Sequence, residues 1–235
     1  VSRTIFFFVK VFDKEKYAED FIQGILFSNR LSFFRKYEED KPANRGDKYE
    51  GVVGWHQPDQ IQLEINGRII TDLAGPVMLQ MNWHDHLNVF CIYAAHSGDF
   101  YEVSEDTVAA FMEQIAIPKD CLKLGKYAVI VTSVTKFIER VKTAVTSNGY
   151  GLNAGLVEYY DPDNFNGSFS EIESIFRKRN EFKHQKEYRF AFDTGVAGDE
   201  PLMLDIGDIS DIAMKCKVSD INRQLEIKLL KGKSE

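Results

Sequence analysis

Glu187 and Arg189 stand two residues apart in the run Lys186-Glu187-Tyr188-Arg189-Phe190-Ala191-Phe192. Alternate residues of a strand share a face, so a carboxylate and a guanidinium project together here. Tyr188, Phe190 and Phe192 line the opposite face. A carboxylate beside a permanent cation stays ionised at neutral pH. Its chemistry is then stabilisation of positive charge or activation of a nucleophile, with proton donation excluded as its main role. Cleavage of the glycosidic bond of NAD needs a carboxylate against an oxocarbenium-like ribose, a basic residue at the diphosphate and an aromatic ring against nicotinamide. Glu187 is the candidate catalytic residue, with Arg45 or Lys178 and Tyr93 or Tyr150 for the other parts; NAD is the cofactor such chemistry takes. The competing reading is a plain ion pair on a strand, worth less than about 1 kcal/mol.

Upstream lies a basic cluster of Lys178, Arg179, Lys183, His184 and Lys186, which Arg189 completes. It suits an anion pocket for a nucleotide diphosphate, or a surface that holds an acidic partner or nucleic acid. Its bland counterpart is a solvated helix face balanced by Glu171, Glu173 and Glu181. Arg45-Gly46-Asp47-Lys48-Tyr49-Glu50 places alternating charges in a glycine-flanked loop, where an Arg fork and backbone N–H groups can approach a phosphate. The ligand-binding candidates are thus Arg45, Asp47, Glu50, Tyr93, Lys178, Arg179, His184 and Arg189. His84-Asp85-His86 puts two imidazoles on one face if extended, but no third ligand is fixed, and no metal site is assigned.

Composition narrows the partners. The net charge of -7 and a pI near 5.4 argue against a nucleic-acid coat held by bulk charge, while leaving room for a local basic patch. No run of 18 apolar residues is present, so no membrane helix is expected. Cys91, Cys121 and Cys216 are odd in number and contain no Cys-x-x-Cys pair; reduced thiols in a cytoplasmic protein are the expectation. Oligomeric state has no signal in the chain.

The positioning elements follow from periodicity. Residues 4–12 read as a strand, and Asp13 caps a helix carrying Tyr17, Ala18, Phe21 and Ile22 that stops at Gly24. A short strand over 25–28 precedes a short helix with Leu31, Phe34 and Tyr37, then a polar loop over 39–51. Asn66-Gly67 marks a hairpin within 61–80. Strands over 77–81 and 88–95 precede a Ser104-capped helix with Val108, Phe111, Met112 and Ile115. A buried strand over 127–132 leads into a helix with the stripe Val134, Phe137, Ile138, Val141 and Val145. Further strands fall near 155–160, 187–192, 201–206, 211–218 and 225–230. A helix over 170–182 carries the capping-box pair Ser170 and Glu173. These elements predict one α+β domain over residues 1–235, with a twisted mixed or antiparallel sheet and about four helices.

Short motifs across the chain add a resemblance. They are Gly24-Ile-Leu-Phe-Ser, Asp47-Lys-Tyr-Glu-Gly, Asn88-Val-Phe-Cys, Phe176-Arg-Lys, Lys186-Glu-Tyr-Arg-Phe and Ile206-Gly-Asp-Ile-Ser-Asp-Ile. Together they resemble a domain family of unknown function that is widespread in bacteria and their phages. Phe182 stands where that family often has Trp, and Cys91-Ile92-Tyr93 where it has Cys-Phe-Ser. The resemblance implies a bacterial or phage protein and no particular activity. Two functions fit the residues: a nucleotide- or NAD-linked transferase or hydrolase, ADP-ribosyltransferase-like, and a non-catalytic module that binds an acidic partner.

Overall fold

The computed structural model describes residues 3–40 and 46–229, with the backbone alone at 37–40. The aromatic N-terminal run forms β1 (Ile5–Phe12), and α1 (Glu15–Ile22) buries Ala18 and Phe21. Gly24, at φ +96°, turns the chain into β2 (Ile25–Arg30), and α2 (Leu31–Asp40) follows. A Cβ at Gly24 would lie 2.1 Å from the Gly207 carbonyl oxygen, so the turn admits only glycine. Next come β3 (Val52–His56), the hairpin of β4 (Leu63–Ile65) and β5 (Arg68–Ile70), and β6 (Val77–Gln80). β7 (Asn88–His96), α3 (Val108–Ile115), α4 (Lys119–Leu122), β8 (Tyr127–Val131) and α5 (Val134–Ser147) form the middle of the chain. β9 (Gly151–Leu156), β10 (Glu158–Tyr160), β11 (Gly167–Ser168), α6 (Glu171–Ser174), β12 (Arg177–Arg179), β13 (Glu187–Asp193), β14 (Leu202–Asp205) and β15 (Ala213–Lys217) complete it.

The fold is α+β. One eight-stranded sheet runs β14-β2-β7-β1-β8-β15, with β13 and then β9 branching from β7. Its pairings are antiparallel. Away from it, β10 and β12 pair in parallel. Apolar residues fill both faces. Phe8, Phe90, Ile92, Val131, Phe190 and Phe192 pack under α1 and α5 against Phe21, Phe137 and Val141. Val9, Tyr93 and Ala95 pack on the other face with Phe111, Ile115, Val218 and Ile221. Phe190 and Phe192 are fully buried, as the alternation in β13 predicts, and Glu187 and Arg189 share the opposite face.

The segment from 170 to 182 differs from its expectation. Its capping box is present, with Glu173 N–H donating to Ser170 Oγ, but the helix ends at Ser174. Residues 177–179 instead extend and pair with β10, and a 3-10 segment spans Asn180–Gln185. Helical spacing there was a local signal; the parallel partner 19 residues earlier outweighs it. Among the described residues 225–229 no strand forms, residue 230 lies outside the described residues, and β3 lies just past the expected loop. His84, Asp85 and His86 belong to a 3-10 turn, not an extended segment, and His84 is buried.

Candidate functional site

β12 and β13 together with the turn before β3 build a closed ring of four charges. Lys178 Nζ lies 3.0 Å from Glu187 Oε1 and 3.3 Å from Glu50 Oε1. Arg189 grips Glu50 through both terminal nitrogens, at 2.9 and 3.1 Å, and reaches Glu187 Oε2 at 2.9 Å. Lys178 also donates to Gln185 Oε1 at 2.8 Å, and Arg189 donates to the Ile175 carbonyl. Two carboxylates and two cations leave the ring formally neutral, which is how buried charges are tolerated. The Arg189 Nε has no hydrogen-bond partner among the described residues.

Local structure explains each position. The Asp47 carboxylate accepts from Tyr49 N–H and the Asp47 carbonyl from Glu50 N–H, and Gly51 at φ +68° releases the chain into β3. This tight turn aims Glu50 inward. Extension of Arg177–Arg179 sends Lys178 inward, where a helical continuation would have rotated it away. Lys186, a non-glycine residue at φ +39°, sets the start of β13, and its ammonium donates to the Gln114 carbonyl.

The electrostatics follow from pairing. Burial would raise the Glu187 carboxyl, but Lys178 and Arg189 outweigh it and bring it down to about 2. Burial would lower the Lys178 ammonium, yet Glu187 and Glu50 hold it above the usual lysine range. Cys91, beside the ring, has its thiol pushed up to about 11 by burial and then by Glu187.

The ring forms one wall of a cleft of about 650 Å³. Phe27, Phe33, Phe34, Phe90 and Tyr93 supply most of its aromatic lining, and its polar lining includes Lys10, Cys91, Gln185, Lys178, Glu50 and Glu187 together with Asp13, Asp20 and Asn29. The volume suits a small molecule. Within the ring, the Glu187 side chain keeps 11% exposure, while those of Glu50, Lys178 and Arg189 keep 1%. Glu187 is therefore the least buried member of the ring, which lines the cleft through Glu50, Lys178 and Glu187. Lys10 stretches across from β1, donates to the Cys91 carbonyl and lies 4.5 Å from the Phe90 ring centroid.

No family model, curated protein or solved structure matches this chain. The site therefore rests on its own geometry.

Glu50, Tyr93, Lys178, Glu187 and Arg189, five residues singled out in the sequence, meet at or beside the cleft. Tyr93 is held by a hydrogen bond to the Ala116 carbonyl at 3.1 Å. Asp47 and Arg179 instead pair with each other at 2.8 Å, with Arg179 also on Glu181 and over Tyr49 and Phe182. His184 sits on the 3-10 segment, with Nδ1 near the Glu181 carbonyl, and does not line the cleft. Tyr150 packs against the core under α5. Arg45 lies outside the described residues. Among the described residues no three of His, Cys, Asp and Glu gather as a metal site. No described helix is long and apolar enough to cross a membrane.

Two expectations change in character. Asp47 and Glu50 are not solvated loop residues, because both carboxylates are buried against cations from β12 and β13. Lys178 and Arg179, read as an anion pocket, face carboxylates. Lys10 and Gln185 had gone unremarked. Lys10 did carry a signal, as the one charge between Thr4 and Phe12.

Proposed function

We propose that the protein is a nucleotide- or NAD-linked transferase or hydrolase acting in this cleft. Glu187 stabilises positive charge that develops on a ribose. The observation carrying this reading is a carboxylate held ionised between Lys178 and Arg189 while lining an aromatic-rich cavity. Preorganised charge in a poorly hydrated site is normally the largest catalytic contribution. Ring faces offer stacking area for a nicotinamide or nucleobase. The diphosphate is not assigned to Lys178 or Arg179, since carboxylates already neutralise both. That pairing also disfavours a module that holds acidic partners through these residues. Motifs resembling the bacterial and phage family supply Glu50, Cys91, Lys178, Glu187 and Arg189, so the likeness falls on the site. Free cysteines accord with a cytoplasmic setting.

The test is turnover of NAD by the wild-type chain, with water or a nucleophilic acceptor, followed by release of nicotinamide. Glu187→Gln should abolish turnover. That variant leaves two buried cations against Glu50 alone, so circular dichroism must accompany the assay. Phe27→Ala removes an exposed ring at the cleft and should raise KM while leaving the fold intact. Absence of nicotinamide release from the wild type, or full activity in folded Glu187→Gln, defeats the proposal.

A further inference from the structure

The floor of the cleft is a gap in the pairing of β7. On one edge β13 pairs with it from Asn88 to Tyr93. On the other edge β2 pairs only at Asn88 and Val89, and β1 pairs only from Tyr93 to His96. Hydrogen-bonding direction alternates along an antiparallel strand, with the N–H and C=O of one residue pointing to the same side. Ala94 N–H donates to the Lys186 carbonyl, so even-numbered residues of β7 turn toward β13. Cys91 therefore turns both of its backbone groups toward the gap. The Lys10 ammonium reaching the Cys91 carbonyl from β1 agrees with this direction. Continued registers would bring Val11 of β1 or Phe27 of β2 opposite Cys91, and neither pairing forms. Lys10 thus serves the carbonyl, and no strand pairing among the described residues reaches Cys91 from this side.

An N–H at the floor of an apolar-lined cavity is a recognition point for an acceptor. We infer that the Cys91 N–H, flanked by the Lys10 ammonium, is the subsite for a carbonyl or carboxamide oxygen borne on a flat ring. Phe90 and Tyr93 lie on either side of Cys91 in the chain, and Glu187 stands on the next strand opposite Tyr93, lining the same cavity. The choice of nicotinamide as the ring rests on the proposed function; the subsite itself does not.

The experiment follows the Cys91 amide resonance in the ¹⁵N-labelled full chain during titration with nicotinamide, and separately with 3-methylpyridine, which lacks the carbonyl. Nicotinamide should move it saturably and 3-methylpyridine should not. Cys91→Ala keeps the N–H and should bind nicotinamide as the wild type does. Lys10→Met should weaken binding roughly tenfold, the loss of a charge-assisted contact. An unmoved Cys91 amide, an equal response to both compounds, or loss of binding in Cys91→Ala would overturn the subsite. A specific Cys91 response without any NAD turnover would keep the subsite and remove the enzymatic reading. Turnover with Cys91 unmoved would do the reverse.

Discussion

Lys178 reaches three oxygens on two acidic residues and one amide, all from a strand of three residues. Removing it strands Glu50 and Glu187 with Arg189 as their only cation in the ring. Lys178→Met should therefore cost about 3–5 kcal/mol in urea unfolding, far above the value of a surface pair. The double variant Lys178→Met with Glu187→Gln restores neutrality and should cost less than the sum of the two single losses. Additive losses would mean that the ring is not a coupled unit. His96 gives a second residue-scale expectation. Burial first, then Lys186, lowers its imidazole to about 4, and its Nδ1 accepts from Gly98 N–H. A base depressed in the folded state stays neutral while the unfolded chain takes up a proton. Stability should thus fall as pH drops from about 6.5 toward 4. His96→Gln should flatten that slope in urea midpoints measured across the range; His84, lowered chiefly by burial, accounts for part of what remains. Below this window Glu187, whose folded carboxyl is depressed to about 2, loses its contribution as pH falls through the carboxylate range.

At the scale of elements, the α1–β2 turn meets the segment after β14 backbone to backbone. Gly24→Ala combines a positive φ with a Cβ placed 2.1 Å from a carbonyl oxygen. It should destabilise by more than about 1 kcal/mol, with β2 displaced from β14. A neutral result would mean that the two segments can separate cheaply. β13 carries the opposite load on its other face. Phe190 touches Phe90, Phe137, Tyr188 and Phe192, so Phe190→Ala should cost roughly 3–5 kcal/mol. A loss under about 1 kcal/mol would contradict its place in the core.

Across the whole molecule, both cores share the strands β1, β7 and β8. Phe8, Ala94 and Val129 face one core, and Val9, Ala95 and Ala128 face the other. Strands common to two cores couple them, so the chain should unfold as one cooperative unit. Phe137→Ala under α5 and Phe111→Ala in α3 should each shift a single transition, seen alike by near- and far-UV circular dichroism. Two separated transitions would divide the chain into independent units.

Local pattern determined much of this protein. Alternation in β13 put Phe190 and Phe192 inside and set Glu187 beside Arg189, because side-chain period in a strand is a property of the backbone alone. The stripe on α5, the Ser170 capping box and the Asn66-Gly67 hairpin were legible for the same reason. What only the tertiary structure decided was partnership. Glu50 and Arg189 are 139 residues apart, Asp47 and Arg179 are 132 apart, and no local rule says which buried cation will meet which carboxylate. The strand at Arg177–Arg179 exists because β10 lies beside it. The gap at Cys91 exists because β2 pairs with one end of this edge of β7 and β1 with the other. Charge pairing and the extent of strand pairing are long-range outcomes of packing; periodicity is written residue by residue.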